Sequence, residues 1–514
     1  MRGRPSAIDP NRKAGRPAGA FWPFAGASAA LLHILTSWGN SVGSIEDDAV
    51  NILLSRSLLE GAYALPDASG IPVTDPLPGL AILLALPVGI LDPAWGWLRI
   101  FELAAAGLAV LGTYRLAQGL VPEGAARAAA VMVALNPVLV SYAGLIMPDI
   151  PLMALFVWLV AKLPEAPTAR GLALLAVGAA ALALLKPHGT LLALALSLAA
   201  GHRFGAARGA GLAVGALTPL SAWLARNRLV GGTVTDYAQN WGSQGAWLAE
   251  PGAWLRHAWA LLVALFSDGC LPLPWAPQAV RFAAALTVLA LCGFGAWRLV
   301  KTRAEERAFA LAAGAAAIVA LHLTWIPVEP RYILPILPCL AILAAAGAED
   351  LLKNRPGMAR AALAGAALLC AAVDLRMAAW SLGRPRAFQP RTMAWLRGHV
   401  SPKARIQSLE YNAVTLLSGR RALPPSLKSR SAEDWLADAQ DEKIDYLHLD
   451  ARFQPAGFLP PDTRRVARSL EGWARSRPGP VVEEFRDSEE GTVLFRLSRN
   501  FPAGTPGGTL SKKP

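Results

Sequence analysis

Cysteine is scarce in this chain, with four in 514 residues. Cys292, Cys339 and Cys370 fall inside apolar stretches and Cys270 in a proline-rich loop, a distribution that offers neither a disulfide framework nor metal-ligand spacing. Charge is sparse too: 17% of residues are charged against 54% hydrophobic, and the mean hydropathy is +0.37, which excludes an ordinary soluble domain. Acidic residues are the rarer sign, 36 against 49 basic, giving a net charge of +13. That excess does not point to nucleic acid, because much of it sits in short loops between apolar segments, where it sets membrane orientation. No internal repeat is evident, which weighs against transporter folds built from repeats. No small-residue cleavage pattern follows closely on the apolar segment that begins at Phe21. Residues 1–20, carrying Arg2, Arg4, Arg12, Lys13 and Arg16, therefore read as a disordered basic cytoplasmic tail before a retained first span.

Long apolar runs dominate the rest. A membrane helix needs roughly 17–25 apolar residues, and candidates lie near 21–38, 97–118, 128–146, 150–163, 170–186, 188–200, 209–225, 281–299, 308–325, 332–351 and 359–380. The expected fold is mainly α: a polytopic bundle of about eleven spans, occupying 21–383, plus re-entrant or juxtamembrane helices. With the N-terminus cytoplasmic, the inner loops would hold Arg115 and Arg127; Lys162 and Arg170; His202, Arg203 and Arg208; Arg298, Lys301, Arg303 and Arg307; and Lys353, Arg355 and Arg360, as the positive-inside rule requires. This parity holds if the short stretches 77–91 and 257–266, bordered by Pro and Gly, do not cross. From 384 to 500 the composition changes. Alternation at 404–409, 444–449 and 492–497, with an amphipathic helix from Ser431 through Ala439, predicts a small extracytoplasmic α/β domain. A Gly/Pro/Lys tail, expected to be disordered, occupies 501–514.

The acidic run Glu46-Asp47-Asp48-Ala49-Val50-Asn51 opens a helical segment in the first outer loop, 39–76. Carboxylates at a membrane surface mark a functional site by default, and one can serve as general base toward an acceptor hydroxyl or amine. They can also simply obey topology. Adjacent helical residues do not share a face, so one of Asp47 and Asp48 would point into a site. Asp149, between Pro148 and Pro151, reads equally as a helix cap or as a site residue. Lys186, His188, Arg226, Arg228 and Arg331 are outer-face basic groups that run against the positive-inside bias; lipid-linked phosphate, snorkelling or pairing with Glu329 each account for them. Tyr332 adjoins Arg331. Asn51 and, in the outer loop, Tyr237, Trp241 and Gln244 are candidates for sugar or acceptor recognition, although aromatic residues also anchor membrane interfaces. Arg99 and Glu102, three apart, are expected to pair.

The order of these features resembles the GT-C-fold membrane glycosyltransferases, in the branch of protein O-mannosyltransferases and the lipid A aminoarabinose transferase. Glu46-Asp47-Asp48-Ala49-Val50-Asn51 with Ser57-Leu58-Leu59-Glu60-Gly61 carries the likeness, as do Met147-Pro148-Asp149, Leu185-Lys186-Pro187-His188-Gly189, Phe266-Ser267-Asp268-Gly269 and Arg331-Tyr332-Ile333-Leu334-Pro335. The resemblance implies a polyprenyl-phosphate sugar donor, an inverting transfer to a lipid, glycan or protein acceptor, and a periplasmic active site in a bacterial-type inner membrane. It implies Asp47 as base, Asp149 as the acid of the second outer loop and Arg331 at the donor phosphate. It indicates no cofactor and no nucleic-acid partner. The chain departs from the pattern at Thr74-Asp75-Pro76-Leu77-Pro78-Gly79, where many relatives carry a basic residue, and at Asn51, where an aromatic is common. Two readings compete: a transporter or lipid flippase, for which His322 is the main intramembrane candidate, and an inactive scaffold of the same fold.

Overall fold

The structure is a computed structural model that describes residues 21–38, 42–43, 46–65, 73–165, 168–231, 250–271, 275–303, 306–325, 329–383, 388–425, 432–450, 471–472 and 481–498. It is mainly helical. In chain order the helical part comprises α1 (Phe21–Ser37), α2 (Glu46–Leu59), α3 (Gly79–Leu91), α4 (Arg99–Gln118), α5 (Glu123–Ala134), α6 (Pro137–Tyr142), α7 (Asp149–Lys162) and α8 (Ala169–Leu185). It continues with α9 (Pro187–Phe204), α10 (Ala206–Gly231), α11 (Pro251–Leu262), α12 (Gln278–Arg303), α13 (Glu306–His322), α14 (Leu337–Leu351) and α15 (Pro356–Leu382). The C-terminal segment follows as α16 (Pro390–His399), β1 (Arg405–Ser408), α17 (Tyr411–Ser418), β2 (Arg421–Leu423), α18 (Ala432–Asp441), β3 (Tyr446–Asp450), β4 (Val481–Asp487) and β5 (Thr492–Leu497).

Among the described residues, four helical stretches have the length and apolarity of a membrane span: Trp95–Gln118, Gln278–Lys301, Pro330–Leu351 and Ala364–Leu382. The expected eleven is not reached by this measure, because other apolar helices are short or broken. α7, with 14 residues, is about 21 Å long, less than the roughly 30 Å hydrocarbon core. The stretch 128–146, expected to be one span, divides between α5 and α6. Pro137 cannot supply an interior amide, and Asn136 starts a new helix by accepting from the amides of Val138 and Leu139, both at 3.1 Å. Asn136 Nδ2 also donates to the Gly269 carbonyl at 2.7 Å, tying this break to the π-helical turn Val263–Asp268 that follows α11.

Ion pairs join several of the loops that carry basic residues. Arg203 approaches Glu306 at 3.7 Å, and Arg298 approaches Asp350 at 3.2 Å. The breaks that carry the candidate site residues gather elsewhere: the starts of α2 and α7, the α8/α9 junction and the turn Pro330–Ile336.

The C-terminal sheet has the order β2-β1-β3-β5-β4. β1 runs parallel to β2 and β3, whereas β5 is antiparallel to β3 and β4. Register pairs include Ile406 with Tyr446 and Leu447 with Phe495. One apolar cluster unites Trp435, Leu436, Ala439, Leu447 and Phe495; a second unites Met393, Leu396, Ile406, Val414 and Leu494. Helices thus cover the sheet on both sides, the layered arrangement its alternation calls for. α17 belongs to both parts of the molecule: Ala413 and Leu416 join the core of the helical body, while Val414 joins the sheet core.

Candidate active site

The site begins with breaks in helices. Pro187 restricts the residue before it to extended backbone, and Lys186 accordingly adopts φ −163°, ψ 153° between α8 and α9. Gly189 lets the two helices close at this junction, since a Cβ there would lie 1.8 Å from the Leu182 carbonyl oxygen. Lys186 Nζ reaches Asp149 Oδ1 at 2.6 Å. Asp149 is 1% exposed and is the first residue of α7, whose N-cap position is taken by Pro148, so the capping alternative does not describe it. Pro330 opens the 3₁₀ turn Pro330–Ile336 and presents Arg331 between two carboxylates, Glu329 at 2.5 Å and Asp47 at 3.3 Å. Burial pushes the Glu329 carboxyl pKa upward, opposed chiefly by the Arg331 charge beside it.

These groups line one cavity of about 420 Å³. Its wall includes Asp47, Asn51, Asp75, Asp149, Lys186, His188, His322, Trp325, Arg331, Tyr332 and Tyr411. Asp47 is the accessible acid, with its side chain 53% exposed, against 11% for Arg331 and 14% for Lys186. Tyr332 stacks on His322 with ring centroids 4.4 Å apart and has Lys186 Nζ 5.7 Å from its own centroid. His188 and His322 face each other through their Nε2 atoms at 2.8 Å. Among the described residues, no group of three or more His, Cys, Asp or Glu side chains converges as a metal site would.

Other candidates lie elsewhere. Asp48 is buried and accepts from the Gly43 amide at 2.9 Å; it is absent from the cavity wall. Its neighbour on the helix surface points elsewhere, as the helical period requires. Arg226 is also absent from the wall. It donates to the carbonyls of Val73 at 2.7 Å and Tyr63 at 3.3 Å and stacks over Trp223, so it secures the chain that leads to Asp75. Asn51 reaches the wall but spends its amide on the carbonyls of Asp47 at 2.8 Å and Ile146 at 3.3 Å, clasping α2 to the segment before Asp149. Tyr237, Trp241 and Gln244 lie outside the described residues. The expected Arg99–Glu102 pair does not form: Arg99 donates to the Ser37 carbonyl at 3.1 Å, while Glu102 is fully buried. Sequence reasoning missed Trp325 and Tyr411 as wall residues and named His322 only as the intramembrane candidate of the transporter reading. Trp325 lies a few residues before Arg331 and was reachable by proximity; nothing local in the sequence links Tyr411 to Asp47.

This architecture is that of the GT-C membrane glycosyltransferases. Among solved structures, ArnT from Cupriavidus metallidurans bound to undecaprenyl phosphate aligns with a TM-score of 0.58 at 12% identity, covering 93% of this chain and 98% of that one. ArnT in the apo state gives 0.59 at 11% identity with the same coverage. The archaeal oligosaccharyltransferase AglB from Archaeoglobus fulgidus, in complex with an inhibitory peptide and a dolichol-phosphate, gives 0.53 at 13% identity, over 94% of this chain and 75% of that one. Identities this low establish the fold alone. No protein-family model and no curated protein sequence matches the chain.

Proposed function

We propose that the chain is a membrane glycosyltransferase that moves a sugar from a polyprenyl-phosphate donor to a lipid, glycan or protein acceptor, with inversion, at the outer face of a bacterial-type inner membrane. One observation carries the reading: a half-exposed carboxylate, Asp47, shares a cavity with two largely buried cations, Lys186 and Arg331. The likeness to solved structures holding undecaprenyl phosphate and dolichol-phosphate supports the donor class.

In this reading Asp47 takes the proton of the acceptor O–H or N–H while that atom attacks the anomeric carbon. The bond between anomeric carbon and phosphate oxygen breaks, and polyprenyl phosphate leaves carrying the electron pair. Lys186 and Arg331 offset the charge growing on the leaving group, the kind of stabilisation that strengthens in the transition state. Arg331 supplies a planar fork and Lys186 a point charge. Asp149 holds Lys186, and Glu329 holds Arg331. The contact between Arg331 and Asp47 adds a consequence: a phosphate that engages Arg331 competes with Asp47 for it and frees the base when donor is bound.

Mass spectrometry of envelope lipids, glycans and proteins from a deletion strain tests the assignment. Loss of one sugar linkage, restored by the wild-type chain, is expected. An unchanged envelope together with altered lipid distribution between leaflets would favour a flippase instead.

A further inference from the structure

We propose that Tyr411 is the residue through which the C-terminal segment reads the donor sugar. This rests on the donor class proposed above. Among the described residues Tyr411 is the sole side chain beyond the helical body that lines the 420 Å³ cavity. Lys186 and Arg331 come from breaks within the body and take the phosphate end. Tyr411 enters from the segment outside it and meets what projects beyond the phosphate, the sugar. A tyrosine ring offers an apolar face to the C–H side of a sugar and a hydroxyl to its polar edge.

The position of Tyr411 is fixed from two directions. Along α17, Ala413 and Leu416 pack into the body and α17 lies against α2. The turn before α2 is closed on the same helix: Gly43, at φ +91°, would place a Cβ 3.0 Å from that of Ala413 and 3.3 Å from Leu417 and Phe388. Its amide donates to Asp48, so the start of α2, which bears Asp47, is registered against α17. Behind Tyr411 lies a buried polar network. The Glu410 amide donates to Ser408 Oγ at 3.0 Å, and Ser408 Oγ meets His448 Nδ1 at 2.8 Å. His448 Nε2 meets Gln389 Oε1 at 2.9 Å, while Gln389 Nε2 donates to Asp450 at 2.5 Å and Glu410 at 3.3 Å. The backbone at 410–411 is therefore held rigidly, as a residue that discriminates by shape requires.

The test measures binding by the purified full-length chain in nanodiscs. The probes are undecaprenyl phosphate and undecaprenyl-phosphate monosaccharides of gluco, manno, galacto and arabino configuration. The wild type should bind one sugar-bearing lipid more tightly than the bare lipid phosphate. Tyr411→Ala should shrink that preference about tenfold with bare-lipid affinity unchanged, and Tyr411→Phe should keep most of it. An Ala variant that retains the full preference overturns the inference. So does a variant that loses affinity for bare and sugar-bearing lipids alike, or a wild type without preference between them. A wild type that binds none of the probes overturns the donor class itself, a separate failure.

Discussion

Two buried polar clusters in this molecule use similar residues to opposite ends. Around Lys186, Asp149, His188 and His322, the Oδ2 of Asp149 and the Nδ1 atoms of both histidines have no hydrogen-bond partner among the described residues, and the cluster borders a cavity. Around His448, the ring nitrogens, Ser408 Oγ and the Gln389 amide are matched within the segment itself, and these residues are not part of the 420 Å³ cavity wall. A buried polar group without a partner costs about 1–3 kcal/mol, whereas a closed network rigidifies. The open cluster carries the cost associated with a working site, and the closed one has the economy of a structural joint.

The comparison breaks most sharply at Lys186. Lys186→Met leaves Asp149 buried beside an apolar side chain, and unpairing a buried charge costs about 3–5 kcal/mol. Thermal unfolding in detergent should show that loss, and Asp149→Asn in the same chain should recover part of it. Full stability in the single variant would mean that Asp149 is solvated through the cavity.

The closed cluster should fail through acid. Burial holds the His448 pKa down at about 4, below the ordinary 6.5, so the unfolded segment binds the proton more readily than the folded one. The stability contributed is present above pH 6.5 and is lost as pH falls toward 4, by about 3 kcal/mol in total. Hydrogen exchange of β1 and β3 should accelerate between these limits, and His448→Gln should flatten the dependence. Equal acid sensitivity in both proteins would remove His448 from the account.

A smaller effect separates the neighbouring acids. Asp48→Ala removes the acceptor for the Gly43 amide and should cost about 1–2 kcal/mol, while transfer by the folded variant stays within a few-fold of wild type. A loss of transfer on the scale of a general base would return Asp48 to the chemistry.

Much of the open cluster was legible because proline did the placing. Pro148, Pro187 and Pro330 marked the breaks from which Asp149, Lys186 and Arg331 project. The division at Asn136 was also written in the sequence, as an Asn-Pro pair, yet the apolar run hid it. The strands at 405–408, 446–450 and 492–497 followed from alternation. β2 is too short to show a period, and β4 carries Glu483, Glu484 and Arg486, the charge that blunts an edge strand. Tyr411 and Asp47 lie 364 positions apart, and their shared cavity arises from the packing of α17 on α2, which no local pattern encodes.

The central claim concerns Asp47, and one measurement addresses it: transfer by the reconstituted Asp47→Asn chain, assayed with the undecaprenyl-phosphate sugar that the wild type uses. The substitution keeps the shape and removes the base, so turnover should fall by about 10²–10⁴ with the unfolding temperature preserved and the affinity for undecaprenyl phosphate equal to or above that of the wild type, since the Asp47 charge that competes for Arg331 is gone. Turnover at the wild-type rate would contradict the account.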